Sequence, residues 1–167
     1  MDFILTRRSI RKYTDQPVSD EKINYLLKAA MSAPSAGNGQ PWHFIVIKDK
    51  EKLNKIIDYH QNAKMLTEAS VAILVCADLS TNKYEVDYWV QDCAAATQNI
   101  LLAAHKEGLG GVWLGVYPRK ERVKALQKLF NMPEHAVPIS LVSLGYPAEE
   151  KGPSDRYDTN RVHINTW

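Results

Sequence analysis

The stretch DYWVQDCAAATQNILLAAHKEGLGGVWLGV, residues 87–116, decides what kind of fold this chain makes. Its first part, 87–107, reads as the longest helix of the protein, closed by Gly108 in the position where helices favour a left-handed residue. Val90, Cys93, Ala94, Ala95, Ala96, Ile100, Leu101, Leu102, Ala103 and Ala104 carry small or apolar side chains almost all the way round it. A helix apolar on most sides must be buried on most sides. A central core helix of a monomer would satisfy that, but one small subunit has few layers with which to surround it, so a helix at the core of a dimer is the preferred reading. The glycines that follow argue against a dinucleotide-binding fold. Gly108, Gly110 and Gly111 precede a strand, 111–116, whereas that fingerprint opens a helix.

Working outward, residues 19–33 form a helix with Ser19 as N-cap, Asp20 and Glu21 at its positive end, and Ile23, Leu26, Leu27, Ala30 and Met31 on one face. Pro34 stops it. Residues 43–48 and 70–77 are strand-forming runs, the second nearly all apolar and so a central strand. Between them a shorter helix starts near Asp49, marked by Leu53, Ile56, Ile57 and His60. A helix over about 119–130 and a strand over 139–146 complete the pattern. The polar tail 150–167 holds Gly152 and Pro153, yet ends in Val162, His163, Ile164 and Trp167, apolar hooks that call for a seat, on this subunit or on a partner. Helix–strand alternation alone would favour a parallel sheet.

At 167 residues, with no repeat and no linker, the chain reads as a single domain over 1–167. The five histidines form no i,i+4 pair and the two cysteines, Cys76 and Cys93, sit in apolar surroundings without CxxC spacing. They read as buried thiols of a reducing compartment, with no metal expected. The N-terminus turns charged at Arg7 before any leader-like apolar run, and no stretch reaches the ~18 apolar residues of a membrane span. The expected location is the cytoplasm, with no membrane partner. A net charge of +2 and the lack of any groove-reading motif set aside nucleic-acid binding as a distant alternative.

Two motifs carry the chemistry. Residues 7–13, RRSIRKY, gather four cations and a hydroxyl on a nearly neutral chain, a pattern suited to one specific anion, because arginine's fork of donors matches phosphate oxygens. A solvated basic turn would look the same. Residues 34–42, PSAGNGQPW, form a turn able to bring backbone amides close to a flat polar ligand, with Trp42 to cover an apolar face; an ordinary loop uses the same residues.

Taken together, RRSIRKY, a helix, and then APSAGNGQPWHFIV closely resemble the FMN-dependent nitroreductase family, in its short branch. Further points of likeness are Ala63 to Leu66, the alanine-rich helix, GLGGVWLG at 108–115, SLGYP at 143–147 and the tail ending in Arg161, Val162 and His163. The resemblance implies an α+β sandwich with a central, mainly antiparallel sheet flanked by helices, built as an intertwined homodimer whose tail 150–167 wraps the other subunit. It implies FMN at the interface. Arg7, Arg8, Ser9 and Arg11 would hold its phosphate, ribityl chain and pyrimidine edge, with Arg161, or Arg156 in its stead, joining at the phosphate. Pro34, Ser35, Ala36 and Asn38 would close over the ring from the partner, Gln61 and Lys64 would contact ring and ribityl chain, and Trp113, Leu114 and Gly115 would offer backbone donors toward N5. Taken singly, Lys64 is an ordinary surface lysine and Trp113 an ordinary core aromatic. Longer family members carry an acidic residue where this chain has Gly115.

The implied activity is NADH or NADPH oxidation with ping-pong hydride transfer through flavin N5 to nitroaromatic, quinone or similar electron-poor small molecules. No side chain is required as acid or base, because the cofactor carries the redox chemistry. Enone reduction, dehalogenation and flavin breakdown are the alternatives on the same scaffold; residues 80–89, rich in Tyr and Trp, are expected near the substrate mouth.

Overall fold

A computed structural model of the chain describes residues 2–167. Its elements are α1 (Phe3–Thr6), α2 (Asp20–Met31), β1 (Trp42–Ile47), α3 (Lys50–Tyr59), β2 (Val71–Asp78), α4 (Tyr88–Lys106), β3 (Gly110–Gly115), α5 (Lys120–Leu129) and β4 (Ala136–Gly145). Short 3-10 turns lie at Ala36–Asn38, Lys64–Thr67, Leu79–Thr81 and Thr159–Arg161. The strands form one sheet in the order β1-β2-β4-β3, and every neighbouring pair is antiparallel. Among the described residues, alternation of helix and strand yields no parallel pair of these strands: β1 and β2 run antiparallel, and β4, last in sequence, inserts antiparallel between β2 and β3.

Alternate residues of β2 divide the core. Val71, Ile73, Val75 and Ala77 pack toward α2 and α4, while Ala72, Leu74 and Cys76 pack toward α3 and α5. A strand covered on both faces has no polar side to show, which explains its continuous apolar run. Leu26 of α2 and Leu53 of α3 are fully buried, one on each side, each worth roughly 1.5–3 kcal/mol of transfer free energy. This α/β/α sandwich is the α+β architecture expected from the sequence.

The helix boundaries follow from local chemistry. Ser19 Oγ accepts the Lys22 N–H at 3.3 Å, and Asp49 accepts those of Glu51 and Lys52 at 2.9 and 3.3 Å. Gly108, at φ +75°, closes α4: the Leu109 N–H reaches back to Ala104 O at 2.8 Å and the Gly108 N–H to His105 O at 3.1 Å, the paired bonds of a Schellman motif. Within one chain, Trp89, Asp92, Cys93, Ala96, Thr97, Ile100, Leu101, Ala103 and Ala104 of α4 are already buried, mostly by α2 and the sheet. Val90, Ala94, Ala95 and Leu102 stay partly open.

Several details depart from the sequence reading. The first strand after α4 spans 110–115 rather than 111–116, and β4 begins three residues early, running through Pro138. The register slips by one residue opposite Val75 and Cys76, leaving Ile139 as the extra residue of a bulge, and Pro138, which has no N–H to offer, sits beside it opposite Cys76. The carbonyl of Ile139 there accepts from both Val116 and Tyr117, at 3.1 and 3.0 Å. The tail is exposed on its own chain: Tyr157, Val162, Ile164 and Trp167 find no seat. No helix among the described residues is long and apolar enough to cross a membrane.

Candidate functional site

The basic run owes its position to two apolar residues inside it. Ile10 and Tyr13 are buried, and between them the backbone docks across the β3 edge: the Ile10 N–H donates to Gly111 O at 3.1 Å and the Thr14 N–H to Tyr146 O at 2.9 Å. The Tyr13 hydroxyl donates to main-chain oxygens, at 2.8 Å from Ile10 O and 3.2 Å from Ser143 O. Glycine makes room for this. A Cβ on Gly110 would lie 2.7 Å from Ile10, and one on Gly145 2.9 Å from the Tyr13 ring.

Anchored in this way, the run holds its cations together. Arg7 is half-buried and its Nη1 is buried without a hydrogen-bond partner. Desolvation first, and then the nearby Arg156 and Arg8, lower its pKa from the usual guanidinium value. An unpaired buried guanidinium nitrogen among like charges is a strong demand for an anion, and a phosphate dianion meets it. Arg8 Nη1 donates to Gly152 O, and Lys151 Nζ to Ser9 O at 2.9 Å, drawing the start of the tail against the run. Arg156 is therefore the tail arginine close to Arg7. Arg161 lies apart in this chain, exposed and paired with Asp158 at 3.2 Å.

Beside the run opens a cavity of about 660 Å³, lined by Arg11, Gln61, Lys64, Trp113, Leu114 and Gly115, all of them candidates from the sequence. Its volume is ordinary for a small-molecule or cofactor site. Arg11, Lys64 and Arg122 give it three cations, and no carboxylate lines it. β3 is the edge strand, and its polar groups alternate between β4 and the open side. Gly111 O meets Ile10 and Gly115 O meets Arg122, so the odd residues face outward. That leaves the N–H groups of Trp113 and Gly115 along the cavity edge.

Two lining residues had no part in the sequence reading of the site. His60, just past α3, is buried, with Nε2 3.1 Å from Gly115 O and 3.0 Å from Arg122 Nη1. Arg122 Nη1 also donates to Gly115 O at 2.7 Å. Burial, reinforced by Arg122, lowers the His60 pKa below the ordinary imidazole value, outweighing its hydrogen bond to Gly115. Nothing in the sequence marks either residue, because they meet only when the end of α3 packs beside α5.

The loop before β1 is built differently. Gly37, Asn38 and Gln40 all take left-handed dihedrals, at φ 53°, 54° and 49°. Ser35 Oγ accepts the Gln40 N–H at 3.0 Å, and the buried Asp92 of α4 accepts the Ala36 N–H at 2.9 Å. Glycine adopts this region freely and asparagine tolerates it, so Gln40 is the residue that bears the strain of the turn. Pro34, Ser35, Ala36 and Asn38 do not line the cavity of their own chain: the loop leads into β1, at the opposite edge of the sheet from β3.

The model of the nitroreductase family matches residues 4–64 and 59–146. A protein of Archaeoglobus fulgidus, provisionally named NADH dehydrogenase/NAD(P)H nitroreductase, is 56% identical over 170 residues, covering 100% of this chain and 98% of its own. The chain belongs to the nitroreductase family. Among solved structures, a provisionally named NADH dehydrogenase/NAD(P)H nitroreductase of Parabacteroides distasonis superposes with a TM-score of 0.95 at 40% identity, covering 99% of this chain and 97% of that one. An FMN-dependent nitroreductase of Clostridium difficile gives 0.91 at 35% identity, covering 99% and 98%. In this family member, then, the sandwich, the docked basic run and the cationic cavity belong to one nitroreductase fold.

Proposed function

We infer that the chain is an FMN-dependent NAD(P)H oxidoreductase, with the flavin ring at the β3-edge cavity and the phosphate among Arg7, Arg8, Ser9 and Arg156 or Arg161. The observation that carries this is the convergence of Arg11, Gln61, Lys64, Trp113, Leu114 and Gly115 on one cavity next to the unpaired Arg7 guanidinium. FMN, when bound, supplies hydride acceptance and delivery. The protein supplies charge and position: Arg11 and Lys64 favour negative charge on the pyrimidine edge, and the free N–H of Gly115 or Trp113 orients the ring.

The names of the relatives, NAD(P)H nitroreductase in Archaeoglobus fulgidus and FMN-dependent nitroreductase in Clostridium difficile, support the same reading. Completing it takes a second copy of the chain. Pro34, Ser35, Ala36 and Asn38 cannot cover the ring from the far edge of their own sheet, so in a homodimer the partner's copies of these residues close over it. The exposed hooks of the tail and the open side of α4 are the surfaces such a dimer would bury. One flavin face left open then serves the nicotinamide and the acceptor in turn, giving ping-pong kinetics with nitroaromatic, quinone or related acceptors. The proposed setting is the cytoplasm.

Replacing Arg7 and Arg11 together with alanine tests the site. Losing charge-assisted bonds worth about 1.5–3 kcal/mol each is expected to weaken FMN binding a hundredfold or more. FMN occupancy unchanged from wild type would mean that the phosphate and ring sites lie elsewhere. Steady-state oxidation of NADH and NADPH against nitro, quinone, enone and halogenated compounds would identify the acceptor class.

A further inference from the structure

We propose that Arg122 is a positioning residue for the reactive edge of the site: a single guanidinium nitrogen ties the Gly115 carbonyl to a neutral His60, and the set of the β3 main chain depends on that tie.

The proton count fixes the arrangement. Arg122 Nη1 carries two hydrogens and has two acceptors in reach, Gly115 O at 2.7 Å and His60 Nε2 at 3.0 Å. One hydrogen to each satisfies the geometry, and it makes Nε2 an acceptor, with the imidazole proton on Nδ1. The other tautomer, with the proton on Nε2 and donated to Gly115 O at 3.1 Å, would set that N–H against an Nη1 donor only 3.0 Å away. Nδ1 is buried without a partner, a cost that the neutral ring bears in either tautomer. An imidazolium would lose the bond from Arg122 and keep only its own donation to Gly115 O, would set a second positive charge 3.0 Å from Nη1, and would leave a charged Nδ1–H desolvated.

The surrounding charges point the same way. Arg119 just before α5, Arg122 of α5, Lys64 of the turn after α3 and Arg11 of the basic run are all cationic, and Glu121 is the acid that acts on Arg122. Gly115 needs a restraint of this kind. A Cβ there would meet nothing within 4 Å, and the residue ends an edge strand, so packing alone leaves its backbone free. Its N–H faces the same open edge as its carbonyl, and clamping the carbonyl therefore aims the N–H into the cavity. The positioning role rests on the flavin reading above; the hydrogen-bond relay does not.

The test has two arms. Long-range ¹H–¹⁵N correlation spectra of the imidazoles, recorded on FMN-free and FMN-loaded protein, should show His60 neutral with its proton on Nδ1 at pH 7 and titrating below the ordinary value. In Arg122→Met the His60 titration should move up by half a pH unit or more. A proton on Nε2, an ordinary midpoint, or no change in the variant would overturn the relay. In the second arm, stopped-flow reduction of the bound flavin by NADH, recorded with the site saturated with FMN, should slow at least tenfold in Arg122→Met. In wild type that rate should fall as His60 is protonated; in His60→Gln, whose amide oxygen still accepts from Arg122, a reduced rate should stay flat on acidification. An unchanged rate in Arg122→Met, or a wild-type pH profile in His60→Gln, would overturn the positioning role. If the wild-type protein takes up no FMN, the flavin reading and the positioning role fall together, while the spectra of the FMN-free protein still decide the relay.

Discussion

At residue 110 a single methyl group separates a formed site from a broken one. Gly110→Ala would press a Cβ to 2.7 Å from Ile10, the residue that anchors the basic run, whereas a Cβ on Gly152 would meet nothing within 4 Å. Overpacking of this kind costs typically 1–3 kcal/mol. Gly110→Ala is expected either to lose that much stability or to release the run, with FMN affinity falling at least tenfold and Gly152→Ala near wild type; thermal melts and flavin titration check both. The thiols offer a second test. Burial raises Cys76 and Cys93 to about 12, so neither should react with a disulfide reagent at pH 8 until denaturant is added. His60 gives the pH dependence. Its folded pKa is depressed, so the unfolded chain binds its proton first, and the stability His60 contributes is present above about pH 6.5 and lost as pH falls through the folded pKa. Melting temperature of the FMN-free protein should drop on acidification below that point, and His60→Gln should remove part of the drop. Arg7, Arg8 and Arg11 stand out in the sequence as one short cluster, but a solvated basic turn would look the same, and only the likeness to a family points them at a phosphate. His60 and Arg122 do not stand out, because 62 residues separate them and only the packing of α3 beside α5 brings them together.

Among the elements, the loop before β1 and α4 depend on each other. Asp92 is buried on α4 and holds the Ala36 N–H. Asp92→Ala should leave that donor unpaired, costing about 1–3 kcal/mol, and should loosen the three left-handed residues of the loop. Faster proteolysis between residues 34 and 41, together with a lower melting temperature, is the expected result. Helices were well marked in the sequence, since Ser19, Asp49 and Gly108 are caps with a mechanism. Strand β4 was only partly legible: Pro138 reads as a breaker, and nothing local reveals the bulge beside it, opposite Val75 and Cys76. The 3-10 turn at Lys64–Thr67 was also missed, although it sets Lys64 at the cavity.

For the whole molecule, the question is what covers the surfaces one chain leaves open. If the tail seats on a second copy, removing residues 152–167 should lower both FMN occupancy and the dimer fraction, read by absorbance and by sizing against a chain of 18.9 kDa. A truncated protein that stays dimeric and fully yellow would refute a wrapping tail. The hooked tail raises this question from the sequence, whereas most of the all-round apolar helix is covered by its own sheet and α2, which only the topology could reveal.

That topology also sets the order in which the protein is completed during translation. β4 lies in the middle of the sheet yet is the last strand in sequence, so β2, apolar on both faces, keeps one edge unpaired until residue 145 has left the ribosome. An exposed apolar strand edge invites pairing between nascent chains. Release at residue 135 should give insoluble material, whereas release a dozen residues later should give a chain that can at least close its sheet. Chaperone dependence is then expected to concentrate in that late window of synthesis.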